Sequence, residues 1–185
     1  MDEKILFFST FLKHPKEIGS VVPSSKFLID KLLQNIDFNN AKCIVEFGPG
    51  TGCVTEEVLK RAGNDCRVLC FEINEEMYVY LKDNLKDERL VLINDSAENI
   101  KMHTQKLGID KVDYVISGIP FSTLPNSKKS IIIKEAKNAL KDDGKFVLYQ
   151  IVSSIKKTLA DYFSIISTKF VPLNLPPVFV YVCIK

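Results

Sequence analysis

VEFGPGTGCV, residues 45–54, sets Gly48, Gly50 and Gly52 at every second position and places an acid, Glu46, two residues before the first glycine. The run CIVEF that leads into it is short and apolar, the pattern of a strand buried on both faces of a parallel sheet. A helical pattern follows over about 53–62. A strand that ends in glycines and opens a helix puts backbone N–H groups and a helix N-terminus at the carboxyl edge of a sheet. Open α/β sheets bind their ligands there.

Outward from this stretch, strand and helix patterns alternate. RVLCFEI (67–73), RLVLIN (89–94), VDYVIS (112–117) and KFVLYQI (145–151) read as strands. Asn74 opens a helix that runs to about Leu85, a polar helical stretch precedes VDYVIS, and residues 128–140 form a helix that ends at an Asp142-Asp143-Gly144 turn. SIKKTLADYF (154–163) is a further helix. Two more strands, around 165–171 and 178–184, are separated by Asn174-Leu175-Pro176-Pro177 with no clear helix between them, which predicts a hairpin closing one edge. The alternation predicts an α/β fold: a doubly wound, mostly parallel seven-stranded sheet with a C-terminal antiparallel hairpin.

Ahead of the first strand, residues 4–14 predict a helix with Ile5, Phe8 and Leu12 on one stripe and Phe7 and Phe11 beside it, ended by Pro15. Ser24 or Ser25 caps a second helix with an apolar face of Ile29, Leu32, Leu33 and Ile36. At about 100–200 residues per domain, the 185 residues form one domain. Residues 1–40 are its N-terminal helical extension and 41–185 its core.

The balance is that of an ordinary globular chain: 46% hydrophobic, 26% charged and a formal net charge of +2, too small to argue for nucleic acid or an anionic membrane. Lys128, Lys129, Lys134, Lys137 and Lys141 cluster locally and read first as a solvated helix face. The five cysteines form no CxxC pair, and three of them lie in strand-like runs, so a disulfide framework is not indicated and a reducing compartment fits. His14 and His103 show no ligand spacing, and no metal site is expected. MDEKILFFSTFLKHP has acids at its start and no small-residue cleavage site, so it does not read as a signal peptide. No stretch reaches the ~18 apolar residues of a spanning helix. The expected location is cytoplasmic, at most peripheral on the inner membrane face.

The glycine spacing is G-x-G-x-G, not the G-x-G-x-x-G of dinucleotide folds, and there is no GxxxxGK[ST]. A carboxylate at Glu46 would repel a pyrophosphate and favour a cation such as the α-ammonium of an amino acid. Glu72, at the end of the second strand, can accept both hydroxyls of a ribose. Asp95, at the end of the third, can accept a proton from an adenine amine. Each feature alone has a plainer reading: a tight turn, a surface acid, a helix cap. An ammonium pocket, a ribose acid and an adenine acid at successive strand ends together describe S-adenosylmethionine. The expected cofactor set is Glu46, Gly48, Pro49, Gly50, Thr51, Gly52, Glu72, Ile73, Asp95, Ser96, Ala97 and Ser117. On these residues, from about position 41 to the end, the chain resembles the class I S-adenosylmethionine-dependent methyltransferases, whose Rossmann-like sheet is the one predicted above.

The fourth strand runs into SGIPFSTLP, residues 117–125. In the resembled class the loop after this strand faces the methyl group. The ribosomal RNA adenine dimethyltransferases have Asn-x-Pro-aromatic there; this chain keeps Pro120 and Phe121 but has Gly118 in place of the amide. FLKHPKEIGSVVPSS, FGPGTGCVTEEVL, VISGIPFSTLP and NLPPVFVYV resemble the bacterial phospholipid N-methyltransferases, through Pro15, Gly19, Pro23, Ser24 and Ser25, the turn Ser117–Pro120, and residues 174–177. The resemblance implies methylation of phosphatidylethanolamine, with Ser117, Gly118 and Ile119 bordering the amine and Pro120 shaping the turn. Phe121 and Tyr149 are substrate-side candidates. The helix over 4–14 would either lie in a membrane interface or cover the cofactor pocket. An RNA adenine methyltransferase and a non-catalytic S-adenosylmethionine-binding module are the alternative readings.

Overall fold

The computed structural model of the chain describes residues 24–185, the side chains of Ile165 and Ile166 excepted. The expected helix over 4–14, with Pro15, Gly19 and Pro23, lies outside the described residues.

Seven strands form one sheet: β1 (Cys43–Phe47), β2 (Arg67–Phe71), β3 (Leu90–Ile93), β4 (Val112–Ser117), β5 (Leu140–Gln150), β6 (Ser164–Val171) and β7 (Val178–Ile184). Their order is β3-β2-β1-β4-β5-β7-β6. β1 to β5 run parallel, while β7 is antiparallel to both β5 and β6. The predicted doubly wound sheet and edge hairpin are therefore present. The chain steps from β1 outward to β3, then returns to β4 on the other side of β1, so the strand order reverses between β1 and β4, the place at which open α/β sheets bind their ligands.

The period of two along β1 divides the interior into two cores. Val45 and Phe47 face one core, which is covered by α4 (Ile100–Lys106), α5 (Asn126–Ala139) and α6 (Ile155–Ala160). Ile44 faces the other, covered by α1 (Lys26–Leu33) and α2 (Cys53–Arg61). Glu46 belongs to the same alternate set as Ile44, so the strand carries a carboxylate into an otherwise apolar layer. Ser25 caps α1 by accepting the Leu28 N–H at 3.2 Å. The buried Leu28, Ile29, Leu32 and Leu33 contribute about 1.5–3 kcal/mol each to holding α1 on the sheet. α3 (Glu75–Asn84) starts at Asn74, whose side chain accepts the Met77 N–H at 2.9 Å.

Two boundaries differ from expectation. β5 takes in the expected turn at 142–144: the register steps from Val112↔Leu140 to Tyr114↔Lys145, so residues 141–144 bulge out of the ladder. Gly144 permits this, because a side chain there would meet the Asp113 carbonyl at 3.0 Å. α6 is shorter than the segment 154–163 from which it was predicted. In the lysine cluster, Lys137 donates to the Tyr162 carbonyl and Lys141 pairs with Asp113, both tying α5 and β5 to neighbouring elements. None of the five cysteines is in a disulfide. Among the described residues no group of His, Cys, Asp and Glu could hold a metal ion, and no helix is long and apolar enough to cross a membrane.

Candidate cofactor and acceptor site

The reversal of strand order brings two loops of distant sequence together. Gly48 donates its N–H to the Phe71 carbonyl and Gly118 donates to the Phe47 carbonyl, both at 2.9 Å. Gly48, Gly50 and Gly52 all have left-handed backbones, with φ of 68°, 56° and 86°. At Gly48 a side chain would also press on Ile119, 3.3 Å from its Cγ1. At Gly52, the N-cap of α2, a side chain would meet Leu81 at 2.8 Å and Leu85 at 3.0 Å. Two constraints, backbone hand and close packing, thus require glycine at the start of α2.

Glu46 is 3% exposed. The Thr55 hydroxyl donates to its Oε2 at 2.6 Å, and the Cys70 thiol lies 3.8 Å from the same oxygen. Both partners are neutral. Burial pushes the Glu46 carboxyl up to about 7, partly opposed by the Thr55 and Cys70 hydrogen bonds. A buried carboxyl in this state gains most from a cationic ligand.

Glu72 follows β2 and is also buried. Its Oε1 accepts the Asn74 N–H at 2.8 Å and its Oε2 accepts the Gly50 N–H at 3.2 Å. The acid is held from both sides, by the cap residue of α3 and by the glycine loop. Beside it Ile73 is 57% exposed, a large apolar surface at the ligand edge of the sheet.

Asp95 follows β3 and accepts from Ser96 N–H at 2.7 Å, from Asn99 Nδ2 at 2.9 Å, and pairs with His103 Nε2 at 2.8 Å. The His103 and Asn99 hydrogen bonds hold its carboxyl below the usual range. Asp95 is not the cap of the turn that follows; a carboxylate has about four acceptor positions, and after these three contacts one remains for an amine. Ser96 caps the turn at 97–99 and Ala97 is buried. Pro49 and Thr51 are buried within the glycine loop.

On the acceptor side, three expectations change. Ser117 is fully buried and its hydroxyl accepts the Ile119 N–H at 3.2 Å, so it shapes the turn. Phe121, expected to face the substrate, is fully buried in the α4–α6 core and presents no surface to a ligand. The aromatic of the Pro-aromatic pair anchors the loop instead. The third change is a residue that sequence reading missed: Gln150 accepts the Phe121 N–H at 3.0 Å and donates to the Ile119 carbonyl at 2.7 Å. It clamps both ends of the turn 119–121. Its signal was an amide at the end of an apolar strand, a position at which a buried polar group must find partners.

Gln150→Leu removes both side-chain hydrogen bonds and leaves the Phe121 N–H and the Ile119 carbonyl only each other, 2.9 Å apart, at a loss of about 0.5–1.5 kcal/mol per bond. We expect a lower melting temperature and slower methyl transfer with little change in cofactor affinity, measured by thermal unfolding and calorimetric titration.

Motifs far apart in sequence also converge here. The Ser25 N–H donates to Asn174 Oδ1 at 3.0 Å, which ties α1 to the 172–177 turn, and the Ser24 side chain is hydrogen-bonded to Tyr149 at the end of β5.

Comparison with known proteins bears on this geometry. A family model described as a methyltransferase domain matches residues 44–144, more than half of the chain. Ornithine lipid N-methyltransferase of Singulisphaera acidiphila is 28% identical over 185 residues, 99% of this chain and 96% of that protein. Ribosomal RNA small subunit methyltransferase A of Mycoplasmopsis synoviae is 31% identical over 106 residues, 57% of this chain and 38% of that protein. Among solved structures, a SAM-dependent methyltransferase from Aquifex aeolicus has a TM-score of 0.70 at 13% identity, with complete coverage of both chains. The magnesium protoporphyrin IX methyltransferase from Synechocystis PCC 6803, solved with bound SAM, has 0.66 at 14% identity over 100% of this chain and 98% of that one. These structural likenesses carry the fold.

Proposed function

The chain belongs to the methyltransferase-domain family and is an S-adenosylmethionine-dependent methyltransferase, and from that premise we propose that it methylates the primary amine of a membrane-lipid head group. Phosphatidylethanolamine is the first acceptor in this reading. The amine of ornithine lipid, named for the relative that spans nearly the whole chain, is the second. The observation that carries the proposal is Gly118: the turn facing the methyl has no amide to hold the exocyclic amine of a base. The ribosomal RNA relative, by contrast, aligns over little more than half of the chain.

Residues 1–185 act as one domain in this reading, with peripheral membrane contact assigned to the segment 4–14. Glu46 faces the α-ammonium of the cofactor, Glu72 accepts the ribose hydroxyls, Asp95 the adenine amine, and Ile73 lies against the adenine ring. Bound S-adenosylmethionine supplies a methyl group on a sulfonium. The turn 118–120 holds a neutral amine in line with it. The amine nitrogen would take the methyl carbon as the sulfonium gives it up and becomes a neutral thioether, and the surplus amine proton would leave to solvent. Such a displacement needs positioning more than a strong base.

The test is label transfer from radiolabelled S-adenosylmethionine to phosphatidylethanolamine vesicles, to ornithine lipid vesicles and to deproteinised ribosomal RNA in parallel. Label in extracted lipid is expected. Label in RNA alone would mean that an adenine pocket tolerates Gly118, and the lipid reading would fall.

A further inference from the structure

We propose that the Tyr149 hydroxyl is the acceptor-binding oxygen of this site, taking the place of the side chain that Gly118 lacks. The inference deepens the lipid-amine reading and rests on it.

The first carbon of any side chain at position 118 would lie 2.9 Å from Tyr149 Oη, 3.5 Å from its ring carbon Cε1 and 2.8 Å from the Gly48 carbonyl oxygen. A side chain at 118 and the hydroxyl of Tyr149 therefore exclude one another. The register explains the meeting: Ser117 pairs with Leu148, so the next residues of β4 and β5 are Gly118 and Tyr149, at the point where the parallel ladder opens. Tyr149 packs with Ile116 and Val147 on the α1–α2 side of the sheet, the side into which Glu46 also points.

The hydroxyl is oriented. The Ser24 side chain is hydrogen-bonded to it. A phenol hydroxyl both donates and accepts, so one hydrogen bond to Ser24 leaves it capacity for a second polar partner. Burial raises the Tyr149 phenol above its usual range, so it is neutral where the enzyme would work. The Gly48 carbonyl faces the same point. Two oxygens thus border the space that a side chain at 118 would enter, and an alkyl amine seated against the bare Gly118 Cα would have both within reach of its N–H bonds.

Tyr149→Phe removes that oxygen and, with it, the hydrogen bond to Ser24, and keeps the ring in place. On whichever lipid vesicles the unmodified enzyme labels, it is expected to lower kcat/KM for the acceptor by about 10- to 30-fold, while S-adenosylmethionine affinity stays within about twofold. A structural role would move both together or neither. Unchanged transfer by Tyr149→Phe, on a lipid that the unmodified enzyme methylates, overturns the inference alone. Label confined to RNA with the unmodified enzyme overturns the lipid reading and the inference with it. A third measurement needs no acceptor. Gly118→Ala should lower the melting temperature more in the unmodified chain than in Tyr149→Phe, because the new carbon meets the hydroxyl in only one of them. Equal shifts would place the hydroxyl elsewhere and overturn the inference.

Discussion

Glu72→Ala is expected to weaken S-adenosylmethionine binding by about 100-fold, because two hydrogen bonds to a charged acceptor are lost at about 1.5–3 kcal/mol each, less whatever water restores. The carboxylate is placed for this before any ligand arrives. Its two oxygens are held by the Asn74 and Gly50 N–H groups, one at the start of α3 and one in the glycine loop. The alanine variant therefore removes the proposed ribose contact and also releases the glycine loop from its Gly50 anchor. Glu72→Gln separates the two effects. It keeps one carbonyl oxygen for a backbone N–H and loses the charge, and it should fall between the unmodified protein and alanine. Calorimetric titration measures all three. If Glu72→Ala bound the cofactor as tightly as the unmodified chain, the ribose assignment would be wrong.

The second large effect concerns Glu46 and has a pH signature. With its carboxyl pushed up to about 7, the unliganded protein holds Glu46 largely protonated below neutrality. A cationic ligand binds the carboxylate, so binding must expel that proton. Cofactor affinity is expected to fall by about tenfold per pH unit below 7 and to level off above it. Glu46→Gln should bind about 30- to 100-fold more weakly at pH 8 and lose this pH dependence. Stability runs the other way. A carboxyl whose folded value lies above its ordinary 4.5 binds more protons in the folded state between 4.5 and about 7. The unliganded fold therefore loses stability as pH rises through that window and is level above it. Glu46→Gln should remove this slope from the melting temperature. Equal slopes in the two proteins would mean that Glu46 is not the buried acid described here.

The path from sequence to site was uneven. The apolar run CIVEF and the glycines behind it declared a buried strand and a ligand loop, because both signals are local: continuous hydrophobicity, and a backbone hand that only glycine adopts readily. Phe121 misled because local sequence cannot say on which side of a turn an aromatic ring will lie. The ring goes to whichever side offers a core, and here α5 and β5 supply one. Gln150 was hidden for a related reason. Its value lies in two backbone groups of the turn 119–121, some 30 residues away, and an isolated amide in FVLYQI carries no sign of them.

What the sequence determined by itself was the order of elements, the doubly wound class and the acids at successive strand ends, all of which follow from patterns a few residues long. The tertiary structure decided the rest. The strand order placed β4 beside β1, so the glycine loop and the 118–121 turn became one site. It also laid β5 against β4, so that a tyrosine hydroxyl stands where residue 118 would have carried a side chain. Those are contacts between residues 30 to 100 positions apart. They arise from burying both faces of one sheet at once, a condition that the whole chain satisfies and no single segment states.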